Sequence, residues 1–564
     1  MARSTHEARH GRRTRRRVVA LLTGLALTTA ACGGGGGDGG GSGTDTGSGS
    51  ADEGDPVRGG KIVYALEAEN GGGWCMPEAQ LAAAGIQVAR TIYDTLTIPD
   101  ENGEYKPFLA ESVESNPKAT EWTIKLREGI TFHDGTPLTA EVVKNNLDAY
   151  RGQYPNRAPL LFIFVFLNIK DVKVVDDLTV QVTTKEPWGS FPAHLYQSGR
   201  LGIVAQAQLD DKRTCDRKLI GTGPFKMKEW RVNDHFTAEA NPDYWRDGVD
   251  GKPLPYLDEV EFRPVPEAAQ ILNGVESGQF SAAWWEPANE LAQFRRLAEQ
   301  GSIGVIEGQG KFPEVGHILL NVSKPPFDNI LARQALAYAL DLDAVNEVRN
   351  AGISENANGP FGPGVLGEME DTGYPSYDAD RARELVEQYE QETGRELEFV
   401  LSNTNDVASI ETSELYKDAF EDVGMKLNIR GTEQTQYIND VIAGEFQAAG
   451  WRNHPGFDPD TEYVWWYSFD KGNPVNFNRF NDDEIDAALD KGRSSTDPDE
   501  RKEAYEAISR RFAEQVYDVW TFYTDWHIAH QNDVHGLLGP DLPDGSKPFP
   551  GLTSGTDLAG AWVG

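Results

Sequence analysis

Between Gly33 and Asp55 the chain runs through glycines, serines, threonines and acids without one bulky apolar side chain. Such a segment cannot offset the entropy lost on ordering it, so any packed core has to begin after it. What precedes it has the layout of a secretory leader. Arg12, Arg13, Arg15, Arg16 and Arg17 come first, then an apolar run from Val18 to Leu27, then small residues up to Cys32. The apolar run is too short to cross about 30 Å of hydrocarbon. The folded body is therefore exported and stands on a leash.

Residues 1–31 are predicted to be a signal peptide. Cys32 directly follows Thr29, Ala30 and Ala31, as in a bacterial lipobox, with threonine where that motif usually has leucine. Lipidation of Cys32 is the expectation and plain secretion the alternative. Residues 32–56 then form a flexible linker that holds the body about 25–30 Å from its anchor.

The chain carries a net charge of −36 and the leader +6, so residues 32–564 carry −42. That charge repels nucleic-acid phosphates and excludes a nucleic-acid partner. It serves solubility, or it biases the protein toward cationic solutes. The length suffices for about three domains. Of three cysteines, Cys75 and Cys215 remain after Cys32. In an oxidising compartment they are expected to form a disulfide, two isolated buried thiols being the alternative. No segment past the leader reaches the about 18 apolar residues of a membrane helix. The longest run, Leu160 to Leu167, reads as a buried strand or a helix turn.

From Arg58 onward strand and helix signals alternate, the pattern of a mixed α/β chain. Trp122, Ile124 and Leu126 alternate with Thr123, Lys125 and Arg127, a strand that Gly129 ends. After the Asp134-Gly135 turn, Thr139 caps a helix with Val142, Val143, Asn146, Leu147 and Tyr150 on one side. Val172 and Val174, then Asp176-Asp177, then Leu178, Val180 and Val182 predict a hairpin. Pro325, Pro326 and Asp328 introduce a helix bearing Leu331, Ala335, Leu336, Ala339 and Leu340. Asp497 and Pro498 start another, with Ala504, Tyr505, Ile508, Phe512 and Val516 at helical spacing.

Several of these stretches form one ordered series. It comprises Tyr93-Asp94-Thr95-Leu96-Thr97, Pro107 to Ser112, Trp122 to Val143, Gly221-Thr222-Gly223-Pro224-Phe225 with Trp230, Asn241-Pro242-Asp243-Tyr244-Trp245, Asn321 to Asp328, and Arg333 to Asp341. The series resembles the family 5 extracellular solute-binding proteins of ABC transporters, the oligopeptide, dipeptide and nickel-binding group. It runs from about Gly59 to beyond Tyr523. The resemblance implies a two-lobed α/β fold of the periplasmic-binding-protein type with mixed sheets, an extra domain and a hinge. It places lobe I at 57–106, 220–310 and 525–564, the extra domain at 107–219 and lobe II at 311–524. Solute is held between the lobes, and closure reports occupancy to a membrane permease.

In peptide-binding members a tryptophan near Trp451 is followed within three residues by an aspartate that receives the peptide's ammonium. This chain reads Gly450-Trp451-Arg452-Asn453-His454-Pro455-Gly456-Phe457-Asp458-Pro459, with no carboxylate at that place. A neutral amide or imidazole does not neutralise an ammonium, so recognition of a free amino terminus by this segment is in doubt. Trp451 is expected to line the cleft. Arg452 either clamps a carboxylate or phosphate of the solute or pairs with an acid of the protein, and Asn453 and His454 offer hydrogen bonds. Glu69, Asn70 and Trp74, in an early segment that approaches ligand in relatives, are further candidates, as are Trp520 and Tyr523 near the second hinge. Of Trp465, Trp466 and Tyr467, at least one belongs to the core. His133-Asp134 reads as a turn and the His527, His530 pair as structural, so no metal site and no cofactor is expected.

The expected function is an extracytoplasmic, lipid-anchored, monomeric receptor on the outer face of the cell membrane. It takes a peptide or another small polar or aromatic solute to an ABC permease. A sensory receptor for a signalling partner is the alternative. A secreted hydrolase is more remote, because no Gly-x-Ser-x-Gly elbow or zinc helix occurs.

Overall fold

The computed structural model describes residues 54–70, 73–286, 288–308, 310–453 and 456–564. The signal peptide, Cys32, most of the linker and His454 lie outside the described residues.

Two large mixed sheets organise the chain. In the seven-stranded sheet, strand Lys61–Leu66 lies parallel to both Glu259–Pro264 and Ala282–Trp285. Strands His235–Ala240 and Phe225–Arg231 extend it on one side, and His527–His530 and Gly304–Glu307 on the other, all antiparallel. The central strand has neighbours on both edges and helices over it, so Ile62, Tyr64, Ala65 and Leu66 are all buried. The six-stranded sheet runs Glu355–Asn356, Asp518–Thr524, Glu314–Leu320, Ala448–Asn453, Glu398–Thr404, Lys426–Thr432.

The chain passes between these sheets twice. Residues 308–313 join strand Gly304–Glu307 to strand Glu314–Leu320, and Asp525 with Trp526 joins Asp518–Thr524 to His527–His530. Gly310 N donates to Asp525 Oδ2 over 3.1 Å, so one crossing is bonded to the other. A Cβ on Gly308 would come within 2.9 Å of the Asp525 side chain, which keeps that approach to glycine. Burial raises the Asp525 carboxyl to about 6.

A third, four-stranded antiparallel sheet carries the predicted strand and hairpin. Strand Glu121–Leu126 buries Trp122, Ile124 and Leu126 between its neighbours Ala110–Ser115 and Thr179–Thr184. In the hairpin Val172 faces Val182 and Val174 faces Val180. Thr139 Oγ1 accepts from Val142 N over 3.4 Å at the start of helix Ala140–Tyr150. The apolar run 160–167 settles as the helix turn Ile163–Phe166, with Val165 and Phe166 buried and Leu167 exposed. The helix that Pro325, Pro326 and Asp328 introduce is Ile330–Ala339, capped by Asn329, whose side chain accepts from Leu331 N. Helix Pro498–Gln515 is capped by Asp497.

Cys75 and Cys215 are joined by a disulfide across a sequence separation of 140 residues. Arg157 Nη1 lies 2.7 Å from Cys75 Sγ, on the same junction.

Candidate functional site

Strand Ala448–Asn453 ends at the junction of the two large sheets, and pleating turns its last three side chains to alternate faces. Trp451 lies half-buried between Tyr437 and Phe477, with ring centroids 5.9 and 5.5 Å away. Arg452 points the other way, to three carboxylates. Its Nη2 lies 2.8 Å from Glu67 Oε1, its Nη1 3.3 Å from Glu286 Oε2, and its Nε 3.6 Å from Glu314 Oε2. Glu67 and Glu286 follow strands of the seven-stranded sheet, whereas Glu314 opens a strand of the other. The guanidinium carbon also sits 5.0 Å above the Trp526 ring, which stacks on Trp284 at 3.9 Å.

Burial alone would lower the Arg452 pKa, but the Glu67, Glu314 and Glu286 carboxylates hold it above its ordinary value. Glu67 shifts upward, chiefly through burial and further through Glu314 and Glu286, while Arg452 opposes the rise. Of the two readings of Arg452, pairing with protein acids is the one this geometry shows.

Asn453 Nδ2 donates to Glu462 Oε2 over 3.1 Å. Glu462 is 4% exposed, and its Oε1 has no hydrogen-bond partner among the described residues. Burial pushes its carboxyl up to about 8, with the Arg200 guanidinium pulling the other way. Arg200 is itself lowered to about 10 by burial, opposed by Glu314 and Glu462, and its Nε donates to Leu81 O over 2.9 Å. Glu462 and Asn453 line a cavity of about 10 Å³ together with Val315, Phe361, Val365 and Pro459.

The turn Pro459–Glu462 that presents Glu462 is fastened by its neighbour Asp460. That fully buried carboxylate accepts from Trp188 Nε1 at 3.0 Å and Arg493 Nε at 2.9 Å, and from Ser190 Oγ. His194 Nε2 lies 2.8 Å away. Burial would raise the Asp460 pKa, yet Arg493 and His194 hold it far below the carboxylate range. Trp188, Ser190 and His194 follow the four-stranded sheet in the chain, so Asp460 binds that part of the molecule to the candidate site.

Of the remaining candidates, Tyr523 stands behind the cavity walls Val315 and Phe361, and the others fall elsewhere. Glu69 accepts from Asn233 N at 2.8 Å and from Trp230 Nε1 at 3.4 Å, and Asn70 Nδ2 donates to Gly73 O at 2.8 Å. Trp74 is buried against Trp230 and Phe236. Trp520 is buried against His317 and Phe512. Tyr523 donates through its hydroxyl to Asn358 Oδ1 at 3.1 Å and borders Phe361 O at 3.3 Å. Trp466 is the core member of its aromatic trio, packed on Phe361 and Phe512. Sequence reasoning missed Glu67, Glu286, Glu314, Glu462, Arg200 and Trp526. Only Glu67 had a signal, its position two residues before Glu69.

Residues 104–474 match the family described as bacterial extracellular solute-binding proteins, family 5 (middle). The chain belongs to that family. It is similar to the glutathione-binding protein GsiB of Pectobacterium atrosepticum, 27% identical over 429 residues that cover 74% of this chain and 80% of that one. Its fold is similar to that of the oligopeptide-binding protein AppA of Bacillus subtilis in complex with a nonapeptide, with a TM-score of 0.78 at 20% identity, covering 90% of this chain and 100% of that one. It is also similar to the binding protein AgaA of A. tumefaciens R10 in complex with agropinic acid, with a TM-score of 0.78 at 24% identity, covering 90% and 99%. The fold is thus the two-lobed α/β type of these proteins. This family 5 protein is a binding protein of the ABC-transporter class and not an enzyme. Among its described residues no helix is long and apolar enough to cross a membrane.

Proposed function

We propose that this family 5 protein is the lipid-anchored receptor of an ABC importer, a monomer that closes on a peptide or another small polar or aromatic solute and delivers it to the permease. Lobe I comprises residues 57–106, 220–310 and 525–564, the extra domain 107–219 and lobe II 311–524, with Cys32 carrying the lipid. The observation that carries this reading is Arg452, which reaches from one large sheet to Glu67 and Glu286 of the other. Such a contact ties the two lobes together beside the two chain crossings, which are the places where they can hinge. The names of its relatives, for glutathione, a nonapeptide and agropinic acid, support a small polar solute that offers several hydrogen-bonding groups.

Native mass spectrometry of freshly purified protein tests the reading directly, and the expected result is a co-purifying small molecule. Addition of that molecule should shrink the radius of gyration of stripped protein in solution scattering. Gene deletion should abolish uptake of the solute; unchanged uptake with a lost response would make the protein a sensor instead. Cys32→Ala should release the protein from the membrane fraction, and retention there would refute the anchor.

A further inference from the structure

In a mature chain of net charge −42, residues 210–218 set four cations against three carboxylates. Lys212, Arg213, Arg217 and Lys218 are all exposed, and of these only Arg217 forms an ion pair among the described residues. The three acids are engaged nearby. Asp211 Oδ1 accepts from Arg213 N at 2.8 Å and Thr214 N at 3.0 Å, Asp210 Oδ1 accepts from the Tyr154 hydroxyl at 2.6 Å, and Asp216 pairs with Arg217 at 3.4 Å. The loop is fastened from behind. Cys215 is bonded to Cys75, and three hydrogen bonds hold the backbone: Gln208 Nε2 to Cys215 O at 2.6 Å, Arg157 Nη2 to Asp211 O at 3.0 Å and Trp74 N to Asp216 O at 3.3 Å. Its cations thus meet a partner with little backbone entropy to lose. The loop also has a direction in the fold. Trp74 packs on Trp230, near the end of strand Phe225–Arg231, which runs the same way as Lys61–Leu66. That is the end of the seven-stranded sheet from which Glu67 and Glu286 reach Arg452. Arg58, just past the linker, is held by Asp250 at the opposite end of Lys61–Leu66, about 20 Å away along the strand.

We propose that Lys212, Arg213, Arg217 and Lys218 dock on anionic phosphate headgroups of the membrane that carries the anchor, and so turn the interlobe junction toward that membrane. The role rests on the proposed lipid anchor, whereas the contact itself needs only the loop. The apolar members of the segment, Cys215 and Leu219, are buried, so the loop lacks the apolar centre of a specific protein interface and offers charge alone. The rest of the body repels an anionic surface. At physiological ionic strength that repulsion is screened beyond about 8 Å, so the charge nearest the headgroups decides. Each lysine or arginine at an anionic leaflet raises partition about fivefold. Four of them, opposed by three neighbouring acids, give weak binding, which suffices for a protein whose anchor holds it at about millimolar effective concentration. A leash of about 25–30 Å exceeds the strand length between Arg58 and the loop, so anchor and loop can reach one membrane together.

The test uses the mature chain with Cys32→Ala, which carries no lipid, and flotation with vesicles of equal parts phosphatidylglycerol and phosphatidylcholine. Vesicles of phosphatidylcholine alone are the control. Binding is expected on the acidic vesicles at about 50 mM salt, absent from the neutral ones and lost at about 500 mM. Reversal of the loop by Lys212→Glu, Arg213→Glu, Arg217→Glu and Lys218→Glu should lower that binding about tenfold or more. The melting temperature should hold, since all four side chains are exposed. The same four reversals at Lys118, Lys170, Lys173 and Lys185, exposed lysines elsewhere, change the net charge equally and should leave binding in place. No binding to acidic vesicles, equal binding to both kinds, or equal loss in the two quadruple variants would each overturn the proposal. Lost uptake in the loop variant without vesicle binding by the parent chain would overturn it too, and would assign the loop to an acidic surface of the permease. The vesicle assay contains neither the lipidated cysteine nor a solute, so its failure and the failure of the receptor reading are told apart.

Discussion

Arg452 and Glu67 are 385 residues apart in sequence and 2.8 Å apart in space, so a single guanidinium joins the two large sheets. Its removal takes a shared cation from three carboxylates, one of them, Glu314, fully buried.

Arg452→Gln is therefore expected to lower stability by about 1–2 kcal/mol, the scale of a charge-assisted hydrogen bond discounted for a side chain one-third exposed. The denaturation midpoint should fall with little change in slope. In scattering, the solute-free variant should be more extended than the wild-type protein. An unchanged profile would mean that Arg452 does not hold the lobes together.

Asp460 serves as the fastening of the neighbouring segment, with donors from Trp188, Ser190 and Arg493 on one buried carboxylate. Asp460→Asn removes the charge that Arg493 needs and should cost about 3–5 kcal/mol. Hydrogen exchange should rise in residues 188–197 more than in the four-stranded sheet. Uniform acceleration across both would show a global loss instead of a local release.

Local patterns were legible because their causes are local. Trp122, Ile124 and Leu126 announced their strand by alternation, and Thr139 announced its helix by capping chemistry. Trp451 to Asn453 could be singled out because the motif frame around them is contiguous. The acids that complete the site could not be. Glu67, Glu286 and Glu462 lie in separate segments, and apart from the place of Glu67 two residues before Glu69, nothing in their immediate neighbours distinguishes them from the other acids of a strongly acidic chain. Arg452 illustrates the limit, since the sequence allows a clamp on solute or on protein and only the fold decides what stands opposite. Asn453 was named as a hydrogen-bond donor, but its partner nine residues on sits beyond a turn that Asp460 shapes through distant residues.

The pH dependence of stability follows from Glu462. Its ordinary pKa of 4.5 is raised to about 8 in the folded protein, so the folded state holds a proton that the unfolded chain has lost across that window. Its contribution to stability is full below about pH 4.5 and falls as pH rises toward 8. Asp525, raised from 3.8 to about 6, adds a decline of the same sign at lower pH. Glu462→Gln should therefore gain on the wild-type protein in melting temperature between about pH 6 and 8. A difference that does not change with pH would contradict the assignment.

Reduction of the Cys75–Cys215 bridge releases a closed loop of 140 residues. The chain-entropy relation gives a loss of about 4–5 kcal/mol for a loop of that size. Denaturant midpoints with and without reductant measure it, and the paired Cys75→Ser, Cys215→Ser variant should match the reduced protein. Equal midpoints would show that the bridge adds nothing to the stability of the fold.

A comparison of Trp451 with Trp520 tests whether the Trp451 ring lines the cleft or only packs. Trp451 is half-buried beside Tyr437 and Phe477, whereas Trp520 is 1% exposed among His317 and Phe512. Trp520→Ala opens a cavity in the core and should cost about 3–5 kcal/mol. Trp451→Ala removes less apolar burial and should cost about 1–2 kcal/mol, yet it should reduce affinity for the co-purified solute by about tenfold or more, because a flat aromatic wall loses its whole contact area. Calorimetric titration of both variants at a temperature well below either transition keeps the two effects apart. If Trp451→Ala binds solute like the wild-type protein and only melts earlier, its ring belongs to the support of the strand, and the cleft wall must be sought at Trp526 and Trp284.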